Sequence, residues 1–476
     1  MEYRENDSVC FPQIIFYVYT KMAGGLMQLV AYGAQDVYLT GSPSVTFFQA
    51  VYKRHTNFAM ETIQQTINGS VSNNQRISVT IARNGDLVGN MYVELQPTTG
   101  LSLTSNNTGG DTIWCAERAF AAIELTIGGQ RIDKHYQAWF RLYSELFLSD
   151  ENRIQYNKMS TYCNSATAGS ATKVYLPLIF FFNRNPGLYL PLIALQYHEV
   201  RLDIDCSANY QTYFSTNQPI IWANYVFLDT EERRRFAQKS HEYLIEQVQH
   251  TGGDSLTVSS SDSSATPIRL SFNHPVKELV WCYQTASYSG TASLNALWNF
   301  TTEPANCIMT VDSTVLASAN TINQPNFIGA PVFLHAPPSY VGPNASTSVG
   351  WAEEGAFYNG STTSSGVEVG PLGQWKLILN GQDRLKEQQG KYFNQVQPYY
   401  HHTGNPYPGI YCYSFALHPE EHQPTGTCNF SRIDNAQVSV LLKGHRSITS
   451  TVQKLFAVNY NILRIQSGMG GLAFSN

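Results

Sequence analysis

Apolar and polar residues alternate with a period of two along most of the 476-residue chain. Ile77, Val79 and Ile81 alternate with Ser78 and Thr80, and Ile123, Leu125 and Ile127 with Glu124 and Thr126. Val200, Leu202 and Ile204 are interleaved with Arg201, Asp203 and Asp205, and Ile268, Leu270 and Phe272 with Arg269 and Ser271. A strand with one apolar and one polar face belongs in an antiparallel sheet with one side on a core. Turn chemistry separates the strands: Asn84-Gly85-Asp86, Gly128-Gly129, Pro186-Gly187 and Asn380-Gly381. Helical periodicity is sparse. The best helix candidate is 242–248, with Leu244, Ile245 and Val248 on one face. The fold class is therefore all-β, built from sandwiches or barrels.

The pattern also repeats. Leu125-Thr126-Ile127-Gly128-Gly129-Gln130 resembles Leu377-Ile378-Leu379-Asn380-Gly381-Gln382. Ala223-Asn224-Tyr225-Val226-Phe227-Leu228 resembles Val458-Asn459-Tyr460-Asn461-Ile462-Leu463. A shorter match aligns Asp86-Leu87-Val88 with Glu278-Leu279-Val280. The matches keep their order, so the chain reads as two copies of one all-β domain, divided in the polar stretch after Leu228. From Val88 to Leu125 is 37 residues, but from Val280 to Leu377 is 97. The second copy thus carries an inserted loop, roughly 283–370, rich in Ser, Thr, Gly, Asn and Pro. Loops of this length are usually functional.

Composition narrows the function. Aromatics are 13% of the chain, which excludes disorder. Charged residues are 14%, against about 25% in ordinary soluble domains. Either the free surface is neutral and polar, or large surfaces are buried against other subunits. With 30 basic and 35 acidic residues, the net charge of −5 argues against a general binder of nucleic-acid phosphates. No apolar run reaches the ~18 residues of a membrane span. Residues 11–20 suggest a signal-peptide h-region, but Glu2, Glu5 and Asp7 against Arg4 are the wrong start for one. The eight cysteines, at 10, 115, 163, 206, 282, 307, 412 and 428, form no CxxC pair and read as reduced, mostly buried thiols.

Few residues suggest chemistry. His418-Pro419-Glu420-Glu421-His422 fits the H-x-x-E-H pattern of some zinc peptidases, which needs both histidines on one helix face. Pro419 inside and Pro424 just beyond argue against a helix, so a polar loop is expected, and His401-His402 beside Tyr399-Tyr400 does not change that. Glu231-Glu232-Arg233-Arg234-Arg235 nearly cancels its own charge and reads as a salt-bridged linker. Phosphate loops, nucleophile elbows and dinucleotide fingerprints are absent from the sequence. N-x-[ST] sequons occur at Asn68, Asn106, Asn299, Asn344, Asn359 and Asn429. Asn299, Asn344 and Asn359, in or beside the long loop, are the candidate glycosylation sites.

Longer stretches are more specific: MAGGLMQLVAYGAQDVYLTG at 22–41, TFF at 46–48, YKRHTNFA at 52–59 and RNGDL at 83–87. ERRRFA at 232–237, HEYLIEQ at 241–247, HPEEH at 418–422, GTCNFSRID at 426–434, LRI at 463–465 and SGM at 467–469 follow in order. Together they resemble the major capsid proteins of large icosahedral nucleocytoplasmic DNA viruses, the chlorella-virus and mimivirus-like branch in particular. The resemblance runs from Met22 to the C-terminus. Residues 1–21 depart from it, which suggests an upstream extension before an original start at Met22.

The resemblance implies a double jelly roll: two tandem eight-stranded sandwiches at 48–228 and 241–476, an inter-domain linker at 229–240, an N-terminal arm at 22–47 and the long surface loop at 283–370 facing outward. It implies a structural protein without enzymatic activity, cofactor or metal, in which Arg233 and its neighbours are paired rather than bound to DNA. Homotrimeric capsomers of pseudo-hexagonal outline would tile the virion shell over an internal membrane, contacting neighbouring capsomers and minor capsid and vertex proteins, after assembly in the host cytoplasm. Two other classes compete. A hydrolase using His418, Glu421 and His422 would carry stoichiometric zinc. A sugar-binding module would use aromatics of the long loop, Trp298, Tyr340 and Trp351.

Overall fold

A computed structural model describes residues 54–98, 114–161, 173–257, 265–285, 371–406, 409–442 and 450–474. The proposed arm at 22–47 and the loop from 286 to 370, with Asn299, Asn344 and Asn359, lie outside the described residues.

Sixteen strands carry the architecture. The first eight are β1 (Phe58–Gln65), β2 (Arg76–Thr80), β3 (Leu87–Leu95), β4 (Phe120–Ile127), β5 (Gln130–Tyr136), β6 (Val174–Pro177), β7 (Val200–Cys206) and β8 (Ile220–Leu228). They form two antiparallel sheets ordered β1-β8-β3-β6 and β2-β7-β4-β5. The second eight are β9 (His241–Thr257), β10 (Thr266–Leu270), β11 (Pro275–Thr285), β12 (Leu372–Leu379), β13 (Gln382–Gln389), β14 (Ile410–Ser414), β15 (Ala436–Leu442) and β16 (Ser450–Gln466). Their sheets are ordered β9-β16-β11-β14 and β10-β15-β12-β13. Adding eight to every strand number converts the first pair of sheets into the second, so the chain is a tandem of two jelly rolls.

The strongest sequence repeat marks equivalent hairpins. Ile127 pairs with Gln130 across Gly128-Gly129, and Leu379 with Gln382 across Asn380-Gly381. All four turn residues have positive φ, between 49° and 82°, the conformation that a two-residue hairpin turn requires and that Gly and Asn supply most readily. The three-residue match is out of register. Val88 faces Tyr225, but Val280 faces Phe456 rather than Tyr460, the residue aligned with Tyr225.

Residues 242–248 are not helical. They lie in β9, which pairs with β16 from His241–Ile465 to Thr257–Ser450. This strand belongs to a sheet that is covered on both sides, so adjacent apolar residues Leu244 and Ile245 broke the alternation that exposes a strand in sequence. Residues 283–285, expected in the long loop, complete β11. The 229–240 linker contains a helix, Thr230–Gln238. Two longer helices, α1 (Gln137–Leu146) and α2 (Asp150–Ser160), fill the β5–β6 connection. Ser149 caps α2 by accepting from the Asn152 amide at 3.4 Å. The linker helix, the third of eight or more residues among the described ones, is α3.

Each sandwich has its own core. Leu279, Trp281 and Tyr283 of β11 point into the second, where Trp281 stacks on Trp375 at 4.6 Å. The alternate residues Val280 and Cys282 join the cluster of the first sandwich, as do Ile410, Cys412, Phe456 and Val458. The sheet β9-β16-β11-β14 is therefore apolar on both faces and fixes one sandwich against the other.

Candidate functional site: the seam between the sandwiches

β5, α1 and the turn Phe181–Arg184 of the first sandwich meet the outer face of β9-β16-β11-β14. At the centre lies Phe456, with the His250 ring stacked at 4.5 Å, Trp139 of α1 at 5.5 Å and Tyr136 at 6.1 Å. Phe456 is fully buried, and an aromatic side chain of this kind is worth several kcal/mol, about 3–5, when truncated.

Polar groups frame this apolar centre. The Asp133 carboxylate accepts from the Val248 amide at 3.0 Å and pairs with His135 at 2.9 Å. The Gln247 side-chain amide donates to the Ile132 carbonyl. Glu246 bridges the seam: one oxygen is 3.0 Å from Arg184 of the first sandwich, the other 2.6 Å from Lys277 of its own. Lys277 also donates to the Pro419 carbonyl at 2.5 Å. Burial pushes the Glu246 carboxyl up, but Arg184 and Lys277 outweigh it and hold its pKa below the ordinary 4.5.

A second polar knot joins the C-terminal end of α1 to the segment after β13. The Gly404 amide donates to the Leu146 carbonyl at 3.0 Å. A Cβ at 404 would stand 2.5 Å from that oxygen and also strike the Glu145 carbonyl, so only glycine admits this approach. Arg153 of α2 donates to the Asn405 carbonyl and pairs with Glu145 at 3.1 Å. His402 sits between Glu278 and Glu420, each at 3.2 Å, with the Phe147 ring edge-on at 5.1 Å. Burial alone would lower the His402 pKa; Cys412, Glu278 and Glu420 outweigh it and hold the imidazole well above its ordinary 6.5. Burial raises the Cys412 thiol, and His402 only partly offsets that.

Two straps complete the seam. The hairpin formed by β16 and Met469–Leu472 crosses to the first sandwich, where Leu472 donates to the Gln130 side chain at 3.2 Å and the Gly470 carbonyl lies 2.8 Å from His198 Nδ1. Arg233 of α3 pairs with Asp86 at 3.0 Å, while Asp86 also accepts from the Leu228 amide at 2.9 Å. Phe236 of α3 packs on Leu87, Val226 and Leu228.

The peptidase pattern dissolves here. His418, Glu421 and His422 occupy an irregular segment after β14, and its remaining carboxylate, Glu420, serves His402 and the Thr403 amide instead. Among the described residues no group of His, Cys, Asp and Glu is arranged to hold a metal ion. Cys115, Cys206, Cys282 and Cys412 are buried, and burial pushes the Cys282 thiol up to about 12. Of the sequons, Asn68 and Asn429 are exposed, whereas Asn299, Asn344 and Asn359, like Trp298, Tyr340 and Trp351, lie outside the described residues. Sequence reasoning missed the seam residues Asp133, Arg184, Glu246 and Lys277, and weighed His402 only as an addition to the peptidase pattern. Their one local signal is charge inside otherwise apolar runs, as at Lys277-Glu278 before Leu279-Val280.

A family model for the large eukaryotic DNA virus major capsid protein matches residues 232–471, and one for the major capsid protein N-terminus matches residues 46–229. The chain is 43% identical over 485 residues to the major capsid protein of Paramecium bursaria Chlorella virus 1, covering 96% of this chain and 100% of the relative. It is 41% identical over 527 residues to that of Phaeocystis pouchetii virus, with the same coverage. Among solved structures, the PBCV-1 virus capsid quasi-atomic model matches with a TM-score of 0.70 and 40% identity, over 90% of this chain and 100% of that one. The Faustovirus major capsid protein, at 12% identity, shares the fold with a TM-score of 0.61 over 89% of this chain and 93% of its own.

Proposed function

The chain belongs to the major capsid proteins of large eukaryotic DNA viruses, and from that premise we propose that it assembles as a homotrimer of pseudo-hexagonal outline, the repeating unit of an icosahedral shell over an internal membrane. It is a structural protein of the virion capsid, not an enzyme. The observation that carries the proposal is the seam: two topologically identical sandwiches are locked face to side by Phe456, Glu246 and Gly404 rather than strung on a linker. A rigid pair of equivalent lobes, repeated three times about an axis, gives six similar sides, which is what a hexagonal lattice needs from a threefold unit.

In this reading the first sandwich spans 48–228, residues 229–240 link the two, and the second spans 241–476. The arm at 22–47 contacts neighbouring capsomers and minor capsid or vertex proteins at the base. The long loop, which begins after Thr285 at the end of β11, would face outward, and glycans at Asn299, Asn344 or Asn359 would decorate it. Assembly takes place in the host cytoplasm. Light scattering on the purified chain, with negative-stain images of the same peak, tests the central claim. The expected result is a mass near three times 53.2 kDa with a hexagonal outline. A stable monomer at every concentration would refute it.

A further inference from the structure

The sequence holds four Asn-Gly pairs, and three of them, at 68–69, 84–85 and 380–381, are among the described residues. An asparagine followed by glycine can react with its own backbone, because no side chain shields the glycine amide from the asparagine carboxamide. Two of the three are held away from that reaction. Asn380 and Gly381 form the β12–β13 hairpin turn, both at positive φ. There the Asn380 side-chain oxygen accepts from the Asn435 amide at 3.1 Å, and the Asn380 amide donates to the Asn435 carbonyl at 2.7 Å. Asn68 pairs with Ser78 of β2 in a strand ladder, and Gly69 follows at φ 109° against Ile77.

Asn84-Gly85 is different. It lies in the irregular segment between β2 and β3, and Asn84 is exposed. Among the described residues nothing hydrogen-bonds the Asn84 side chain or the Gly85 amide. The glycine answers to packing: a Cβ at 85 would stand 2.8 Å from the Cβ of the fully buried Tyr225, whose hydroxyl donates to the Ala82 carbonyl at 2.6 Å. A bulkier residue that would slow the reaction is therefore shut out. The next residue, Asp86, is fixed on every side. Its amide donates to the Val226 carbonyl at 3.1 Å, and its carbonyl accepts from the Ile193 amide at 3.2 Å. Its carboxylate accepts from the Leu228 amide at 2.9 Å and pairs with Arg233 at 3.0 Å. Of these partners Arg233, with its side chain 58% exposed, is the one that water replaces at least cost.

We propose that Asn84 is a site of spontaneous deamidation, and that the product loosens the linker helix α3 from the first sandwich. The Gly85 nitrogen gives its proton to water or hydroxide and attacks the side-chain carbonyl carbon of Asn84. The new C–N bond closes a succinimide ring, and the carboxamide nitrogen leaves as ammonia. Water then opens the ring at either carbonyl, to aspartate or to isoaspartate. Isoaspartate routes the backbone through the former side chain and adds one methylene before Gly85. Tyr225 leaves Gly85 no room to absorb it, so the displacement passes to Asp86 and to its most easily lost partner, Arg233. Helix α3 buries none of its residues and is held by that pair and by Phe236 against Leu87, Val226 and Leu228. An element with so few buried contacts opens locally at low cost. The reaction runs one way, so it acts as a clock on this strap rather than as a switch.

The test ages the full chain at neutral and mildly alkaline pH and maps the products by peptide mass spectrometry with isoaspartyl methylation. Position 84 is expected to convert at least tenfold faster than 68 or 380, and faster in alkali because the amide must lose its proton. Equal rates at the three positions overturn the assignment, as does an Asn84 that stays intact in the folded chain while it converts in urea. Hydrogen exchange reads the consequence. Asn84→Ser cannot form the ring and removes no hydrogen bond, so it should fold as the wild type does. The amides of Thr230–Gln238 should exchange at least tenfold faster in aged wild type than in Asn84→Ser aged beside it. Equal exchange overturns the loosening. Asn84→Asp supplies the new charge without the longer backbone and should exchange like fresh wild type; a loosened helix in that variant overturns the backbone argument.

Discussion

Glu246 is the group whose removal the seam should tolerate least. Its two oxygens lie 2.6 Å from Lys277 and 3.0 Å from Arg184. At an effective dielectric constant near 20, each contact is worth about 6 kcal/mol of gross attraction. Taking the ions out of water costs several kcal/mol each, so the intact bridge contributes little net stability. Deletion of one partner is a different matter. Glu246→Gln leaves the Lys277 ammonium, whose side chain is 1% exposed, without a counter-charge, whereas the Arg184 side chain at 27% can turn toward water. The expected loss is about 3–5 kcal/mol. For a cooperative unit of sandwich size that lowers the melting temperature by roughly 6–20 °C.

Calorimetry at neutral pH on wild type, Glu246→Gln and the double variant Glu246→Leu/Lys277→Met tests the reasoning. The double variant removes both buried charges and should recover most of the loss, because an apolar pair of similar volume replaces the ion pair at little or no cost. The pH dependence adds a check. The Glu246 pKa is held below its ordinary 4.5, so its contribution is fully present above that value and is lost as pH falls through the lower folded value. The gap between wild type and Glu246→Gln should therefore close only in acid, at a pH below the ordinary carboxyl value of 4.5. A single variant that melts within about 2 °C of wild type, or a double variant no better than the single, would refute the argument.

Phe456→Ala should cost about 3–5 kcal/mol and open the seam, so that iodide quenches Trp139 fluorescence that is shielded in the wild type. Gly404→Ala forces a Cβ against the Leu146 carbonyl and should cost about 1–3 kcal/mol, read as a lower urea midpoint with an unchanged slope. His402, whose pKa is raised, stabilises fully below its unfolded value of 6.5 and loses that contribution as pH rises through the folded value. The stability difference between wild type and His402→Gln should thus be full at pH 6 and shrink only in the alkaline range; a difference that grows with pH would overturn the assignment of charge.

The strands with one wet face were legible in sequence because water imposes the alternation, as at β2, β4 and β7. The repeat was legible because the hairpins at Gly128-Gly129 and Asn380-Gly381 need the same left-handed turn residues. The strand β9 was not, because the adjacent apolar residues Leu244 and Ile245 and the adjacent buried polar residues Glu246 and Gln247 interrupt the alternation. Helix α1 escaped despite Ala138, Leu142 and Leu146 at spacings of four, a short signal inside a chain dominated by period two. The seam could not be read at all. Its contacts join Asp133 to Val248, Arg184 to Glu246 and Leu146 to Gly404, residues too far apart in the chain for any local pattern to connect.

The low charge content follows from the same geometry. A chain with two separate sandwiches would need only one apolar face per sheet, but β9-β16-β11-β14 spends both faces on protein. The charges buried at the seam are paired, Asp133 with His135, Glu246 with Arg184 and Lys277, and His402 with Glu278 and Glu420, as Arg141 is with Glu145 inside the first sandwich. Each is costly to desolvate and strongly destabilising to break, so the pairs fix orientation rather than add affinity. That is the property a shell subunit requires. In the proposed trimer the angle between the lobes sets where one chain meets the next, and an error in that angle recurs at each of the three contacts around the ring. A loose apolar seam would let the lobes slide; directional ion pairs and the close backbone approach at Gly404 confine them to one angle.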